Sequence, residues 1–226
     1  MKAIRFCILT FTLLSCAVVA SAQLPPLPPM TNGDGNPANN GMKHIMLSFD
    51  GTDLTAHVDE PPASPVTMMS GHGFDFDAAF DVLEDRYFNS QHGWLQGVPI
   101  VPPQDSDVWI RRTSATMPDG ATLGVFEGGM GMEMNAWTMN EIHTEAGTPW
   151  KWDRMMQHDV YVADLPGEYS MSFEVYLGDS TTGEPLDGYG SATATLYFTT
   201  PVPEPDAAVL CIAAGAMGFW YRKFRG

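Results

Sequence analysis

Six histidines are spread through the middle of this 226-residue chain, at His44, His57, His72, His92, His143 and His158. Neutral imidazole is a common protein ligand for Zn²⁺ and Cu²⁺. His44 and His57 flank Asp50-Gly51, a hairpin-turn pair set between two alternating runs. A two-residue turn there would place Phe49 opposite Thr52, Met46 opposite Thr55 and His44 opposite His57. Opposed Cβ atoms lie about 4.5–5.5 Å apart, close enough for two rings to share one metal ion. His158, next to Asp159, supplies the third ligand in this reading. A four-residue turn would set His57 opposite Met46 instead, so both registers stand open here.

Other side chains offer other chemistry. Met130, Met132 and Met134 alternate in a Gly-rich stretch, with Met139 and His143 following. Thioethers suit Cu(I), but alternation also puts these residues on one face as ordinary gap-filling core, and we expect core. Trp150 and Trp152 flank Lys151 and share one side of an extended strand. There they would stack on sugar faces, or be buried as tryptophans mostly are. Glu84-Asp85 and Asp75 with Asp77 could serve glycoside hydrolysis, yet so acidic a chain offers such pairs by chance. Glu141-Ile142-His143 puts a carboxylate near an imidazole, but neighbours so close in sequence seldom face each other. A nucleophile elbow, a His-Glu-x-x-His helix, a phosphate loop and a dinucleotide fingerprint are all missing from the sequence. The expected function is therefore non-enzymatic, with a secreted glycan hydrolase as an alternative.

These residues need elements to hold them, and the period from His44 onward is mostly two. Ile45, Leu47 and Phe49 alternate with polar neighbours, as do Leu54, Ala56 and Val58. Tyr169, Met171, Phe173, Val175 and Leu177 point one way; Ala192, Ala194, Leu196 and Phe198 form a matching set. Val108 with Ile110, Leu123 with Val125, and Val160 with Val162 mark three more strands. Phe76, Ala79, Phe80, Leu83 and Tyr87 fall instead at helical spacing, with Asp75 and Asp77 at the positive helix start. The pattern predicts a mainly β domain: an antiparallel β-sandwich, immunoglobulin-like or jelly-roll-like, with one short helix or helical turn. Residues 42–200 form that domain. Residues 23–41, Pro-rich and then Asn/Gly-rich, read as a spacer.

Composition limits the partners. The chain carries 27 acidic and 11 basic residues, and between Gln23 and Val202 the balance is 25 acidic against 6 basic, a net of −19. Nucleic acid and anionic membrane surfaces would repel it, whereas divalent cations, calcium included, would be attracted. Cys7, Cys16 and Cys211 all lie near the two ends, so the central region has neither a disulfide nor a cysteine ligand.

The ends carry an address. In residues 1–22, Lys2 and Arg5 precede an apolar stretch from Phe6 to Ala20 and a small-residue site, Ala20-Ser21-Ala22. That is the pattern of a secretory signal peptide, with lipidation at Cys16 as an alternative. At the other end, Val202-Pro203-Glu204-Pro205 is followed by an apolar segment, Ala207 to Tyr221, read as a transmembrane helix, and by Arg222, Lys223, Phe224 and Arg225. Residues 201–226 in this order resemble the PEP-CTERM sorting signal. The resemblance implies that Pro203, Glu204 and Pro205 are the recognition element and that Arg222, Lys223 and Arg225 form the stop. It further implies the Sec translocon and an exosortase as export partners, transient anchoring in the inner membrane, and delivery to the cell surface or extracellular matrix, often beside exopolysaccharide. The start Phe49-Asp50-Gly51-Thr52 in a β-rich setting also resembles zinc-responsive cyanobacterial proteins with the same signal; no residue is carried over from that likeness. A zinc- or copper-binding surface protein is the alternative function, with His44, His57 and His158 as ligands; Trp150 and Trp152 are the glycan-binding candidates.

Overall fold

Alternation between apolar and polar side chains becomes strand after strand in the computed structural model, which describes residues 30–59, 65–129 and 137–201. The strands are β1 (Lys43–Phe49), β2 (Leu54–Val58), β3 (Val66–Thr67), β4 (Met69–Ser70), β5 (Tyr87–Asn89), β6 (His92–Gln96), β7 (Ser106–Thr116), β8 (Leu123–Gly129), β9 (Glu141–Ile142), β10 (Pro149–Trp152), β11 (Gln157–Ala163), β12 (Glu168–Asp179) and β13 (Ala192–Thr199). They form a pair of sheets. One runs β2-β1-β6-β11-β5-β4, with β8 on β11 and β9 on β8; the other runs β10-β7-β12-β13-β3. Both signal segments, with Pro203, Glu204, Pro205, Arg222, Lys223 and Arg225, lie outside the described residues. Among the described residues no helix is long and apolar enough to cross a membrane.

The main core lies between the sheets. Ile45, Leu47, Trp94 and Tyr161 of the first meet Val108, Ile110, Phe173, Val175, Leu196 and Phe198 of the second. Trp94 packs edge-on against Phe173 with ring centroids 5.5 Å apart, and Tyr161 lies 4.8 Å from Phe198. The apolar sets expected on β12 and β13 all point inward. A second, smaller core lies on the other face of the first sheet. There Phe80 and Leu83 cover Phe88, Val160 and Val162.

Four features refine or depart from expectation. First, the β1–β2 turn takes four residues: Asp50 Oδ1 accepts from the amides of both Thr52 and Asp53 at 2.8 Å, and Phe49 pairs with Leu54. His57 consequently faces Met46, and His44 and His57 are not opposed. Second, the pairing is not wholly antiparallel, since β1 runs parallel to β6 and β13 parallel to β3. The chain changes sheets at Met68, a fully buried residue between β3 and β4. Third, the helical spacing gives only a 3-10 segment, Ala78–Leu83, with non-helical φ/ψ at Phe80. Phe80 and Leu83 are buried as the spacing required, Ala79 is exposed, and Tyr87 belongs to β5. Fourth, residues 30–41 are not a free spacer in their described part. Gln91 Nε2 donates to the carbonyls of Asn39 and Gly41, Asn89 Nδ2 donates to Thr31, and the Gly33 amide donates to Thr67. These bonds satisfy polar groups buried where the chain breaks between β5 and β6.

Candidate functional site

A row of residues crosses the first sheet on the face opposite the main core. His44 of β1 stands beside Gly93 of β6, which stands beside His158 of β11, which in turn stands beside Gly129 of β8. Gly93 leaves a gap in the row. A Cβ there would come within 2.6 Å of the His158 ring, so that ring occupies the space a side chain would take. The rings of His44 and His158 thereby meet over the glycine, 5.6 Å apart and inclined at 70°.

The hydrogen bonds fix which nitrogen of each ring is free. Asp59 Oδ2 accepts from the His44 backbone amide at 2.8 Å and lies 3.1 Å from His44 Nδ1. His158 Nδ1 lies 3.2 Å from the carbonyl oxygen of Ser90. A carbonyl only accepts, so His158 Nδ1 carries the proton and its Nε2 keeps a lone pair. That Nε2 is buried without a partner. Burial holds the His158 pKa down to about 4, so the ring is neutral near pH 7. A carboxylate behind one imidazole and a carbonyl behind another is how metal-ligating histidines are oriented.

The sequence-derived ligand trio is therefore brought together only in part. His44 and His158 meet, while His57 is exposed on β2, on the same face but opposite Met46. Among the described residues no three His, Cys, Asp or Glu side chains converge to hold a metal ion. Asp159 turns to the opposite face from His158, as adjacent strand residues must. There it accepts from Trp94 Nε1 at 3.1 Å and from Gln157 Nε2 at 2.9 Å, and burial raises its pKa to about 7. His92 also faces the main core, edge-on to Phe198, with Nδ1 unpartnered. Burial first, and then repulsion by Lys43, lowers its pKa to about 3.

The tryptophan pair does share one side of a strand, but that side faces inward. Trp152 has no exposed surface and donates Nε1 to the Met155 carbonyl at 2.8 Å; Trp150 is half-buried against the same core. Trp152 presents no open indole face for a sugar, while Trp150 keeps part of its surface exposed on β10, an edge strand whose inner side closes the core. Met130, Met132 and Met134 lie outside the described residues, and Met139 packs on the second core. Asp75, Asp77, Glu84 and Asp85 are exposed around the 3-10 segment.

Sequence reasoning missed Asp59 and Gly93. A four-residue turn carries the register outward from Phe49–Leu54 until Asp59 reaches His44, so the turn length held the first signal. The second signal was a glycine inside a strand, which marks close approach of another group. No known family, characterised protein or solved structure matches this chain, so its function must be argued from its own residues.

Proposed function

We propose that this chain is an exported, non-catalytic protein of the bacterial surface or extracellular matrix, sorted by an exosortase, with its sheet pair as a binding domain. The observation that carries the reading is the place of the sorting pattern relative to the last strand. The Thr200 amide donates to the Gly167 carbonyl, and Thr200 Oγ1 accepts from the Gly167 amide at 2.8 Å, tying the chain down one residue past the last strand. Pro203-Glu204-Pro205 follows directly, just beyond the tied end. Processing there would leave the sheets intact. We read the sheet pair further as an immunoglobulin-like sandwich. Tyr169, at the start of β12, donates its hydroxyl to the Leu165 carbonyl, as the tyrosine corner of such sandwiches does. Contact with exopolysaccharide belongs to this reading, through surfaces other than the buried Trp152. The test is to follow the full chain in an exosortase-bearing host. The parent chain should reach the outer surface or medium in shortened form. Alanines at Pro203, Glu204 and Pro205 should leave it at full length in the inner-membrane fraction. Equal release of both forms would defeat the reading.

The His44–His158 pair favours a second reading, a divalent-metal-binding surface protein. Zinc or copper would be held by the two Nε2 atoms, with remaining positions filled by water or by ligands outside the described residues. Calcium is disfavoured at this pair, since it takes oxygen ligands. Thermal unfolding of the full chain with Zn²⁺, Cu²⁺, Ca²⁺ or EDTA tests it. Stabilisation by Zn²⁺ or Cu²⁺ should disappear in His44→Ala and His158→Ala and persist in His57→Ala. Stabilisation that survives loss of His158 would end the idea.

A further inference from the structure

Beside the histidine row, the outer face of the first sheet carries a thioether. Met46 is the next residue after His44 on that face of β1, since side chains alternate along a strand. It stands opposite His57 on one side and beside Leu95 on the other. Two strand rises, about 6.6 Å, separate its Cα from that of His44. An unbranched, half-buried methionine can therefore bring its sulfur to the space over Gly93, where the rings of His44 and His158 meet.

Three observations decide which ion suits this place. First, ligands are few. Among the described residues no third His, Cys, Asp or Glu joins the two rings. Zn²⁺ takes four ligands in a tetrahedron, whereas Cu(I), with a filled shell and a single charge, is satisfied with fewer. Second, the place is buried and largely apolar. His158 has no exposed surface, and its Nε2 has no partner. Leu95 is half-buried on the same face of β6 as Gly93, and Val160, on the same face of β11 as His158, belongs to the second core. The cost of burying an ion grows with the square of its charge, so a monocation is disfavoured here far less than a dication. Third, the carboxylate bonded to the pair is Asp59, whose Oδ2 lies 3.1 Å from His44 Nδ1. Its single negative charge balances a monocation and leaves a dication half-compensated.

We infer that the His44–His158 pair takes copper as Cu(I), with the Met46 thioether as the third ligand. Thioether sulfur is a soft donor that selects Cu(I), and imidazole accepts copper as readily as zinc. Zn²⁺ meets the same two rings but gains nothing from the sulfur, so it binds more weakly. His57, exposed on the far side of Met46, stays outside the set. The inference rests on the metal-binding reading above and narrows it to one ion and one further residue. It is independent of how the chain is sorted.

Competition with bicinchoninate under ascorbate measures Cu(I) binding by the full chain, and a zinc indicator dye measures Zn²⁺. Cys7, Cys16 and Cys211 are replaced by serine throughout, since thiolates would take Cu(I) first. The parent should bind Cu(I) more tightly than Zn²⁺, and X-ray absorption should show sulfur as well as imidazole around the copper. Met46→Leu nearly keeps the side-chain volume. It should remove the sulfur, leave Zn²⁺ binding unchanged and weaken Cu(I) by about tenfold or more, since even an outer-shell partner is worth about 10–100-fold. His158→Ala should abolish the copper site, and His57→Ala should leave it intact. A thermal melt without metal checks the fold of each variant, and the absorption spectrum of the parent depends on no variant. A copper shell without sulfur, Cu(I) affinity untouched by Met46→Leu, or Zn²⁺ bound more tightly than Cu(I) would overturn this inference and leave the metal-binding reading standing. Absence of metal binding, or binding that survives His158→Ala, would overturn both.

Discussion

Burial sets the ionisation of several side chains, and so the response of the molecule to acid. The pKa values of His92, His143 and His158 are lowered to about 3, 4 and 4, in each case chiefly by burial. Each ring is neutral in the fold and takes a proton below its ordinary value of 6.5 once the chain unfolds. The unfolded state then binds more protons, so stability present above pH 6.5 is lost as pH falls towards 4. Asp159 acts the other way. Its raised pKa of about 7 keeps a proton in the fold that the unfolded chain loses above its ordinary 3.8, so its contribution declines between those values. Three histidines outweigh one aspartate in the shared window. The urea midpoint should therefore climb from about pH 4.5 to 6.5 and level off above about pH 7. His92→Leu should flatten the climb by up to about 1.4 kcal/mol per pH unit, one proton's worth. An unchanged slope would take His92 out of this account. The sequence displayed every one of these residues but not their burial. Neighbours at 158 and 159 had to be told apart by face, and the alternation of β11 settles that only once its pairing is known.

Strands were legible wherever one face is apolar and the other polar. β13 follows the alternation residue for residue and β12 does so up to Val175, because a slip by one would expose the whole apolar set. The β1–β2 register was less legible. A side chain decides it, through the two amide hydrogen bonds of Asp50, and the Asp-Gly pair alone also permits a shorter turn. Parallel pairing of β1 with β6 joins segments far apart in sequence, and nothing local announces it. The same logic reassigns Trp150 and Trp152. Periodicity puts both on one side of β10, and only the sheet order shows that this side is inward. Trp152→Ala should cost about 3–5 kcal/mol in urea unfolding, the range for emptying a fully buried aromatic site. Trp150→Ala should cost clearly less, since that indole is only half-buried. Equal costs would contradict the burial gradient along β10. Gly93→Ala belongs with them: its new Cβ must displace the His158 ring, and overpacking of this kind costs about 1–3 kcal/mol. A neutral Gly93→Ala would show that the two imidazoles do not meet over the glycine.

At the scale of the whole molecule, charge works against the packing. Four ion pairs join an Arg or Lys to a carboxylate among the described residues, at Asp164, Glu174 and, twice, Asp107. Most other described carboxylates join no such pair, and with a net of −19 between Gln23 and Val202 their repulsion favours expansion. Salt should screen it, since the Debye length shortens from about 30 Å at 0.01 M to about 8 Å at 0.15 M. The thermal midpoint of the full chain should rise with NaCl across that range and then level off. A shift of a few degrees corresponds to about 1 kcal/mol for a domain of this size. A midpoint that stays flat or falls would mean that the few ion pairs, not the net charge, dominate the electrostatics. The same measurement sets the baseline for the histidine pair. Any divalent ion screens carboxylates, so a rise with Zn²⁺ counts for His44 and His158 only in excess of the rise with Mg²⁺ at equal ionic strength. The excess must also vanish with His158→Ala, a change that leaves the net charge near neutral pH untouched.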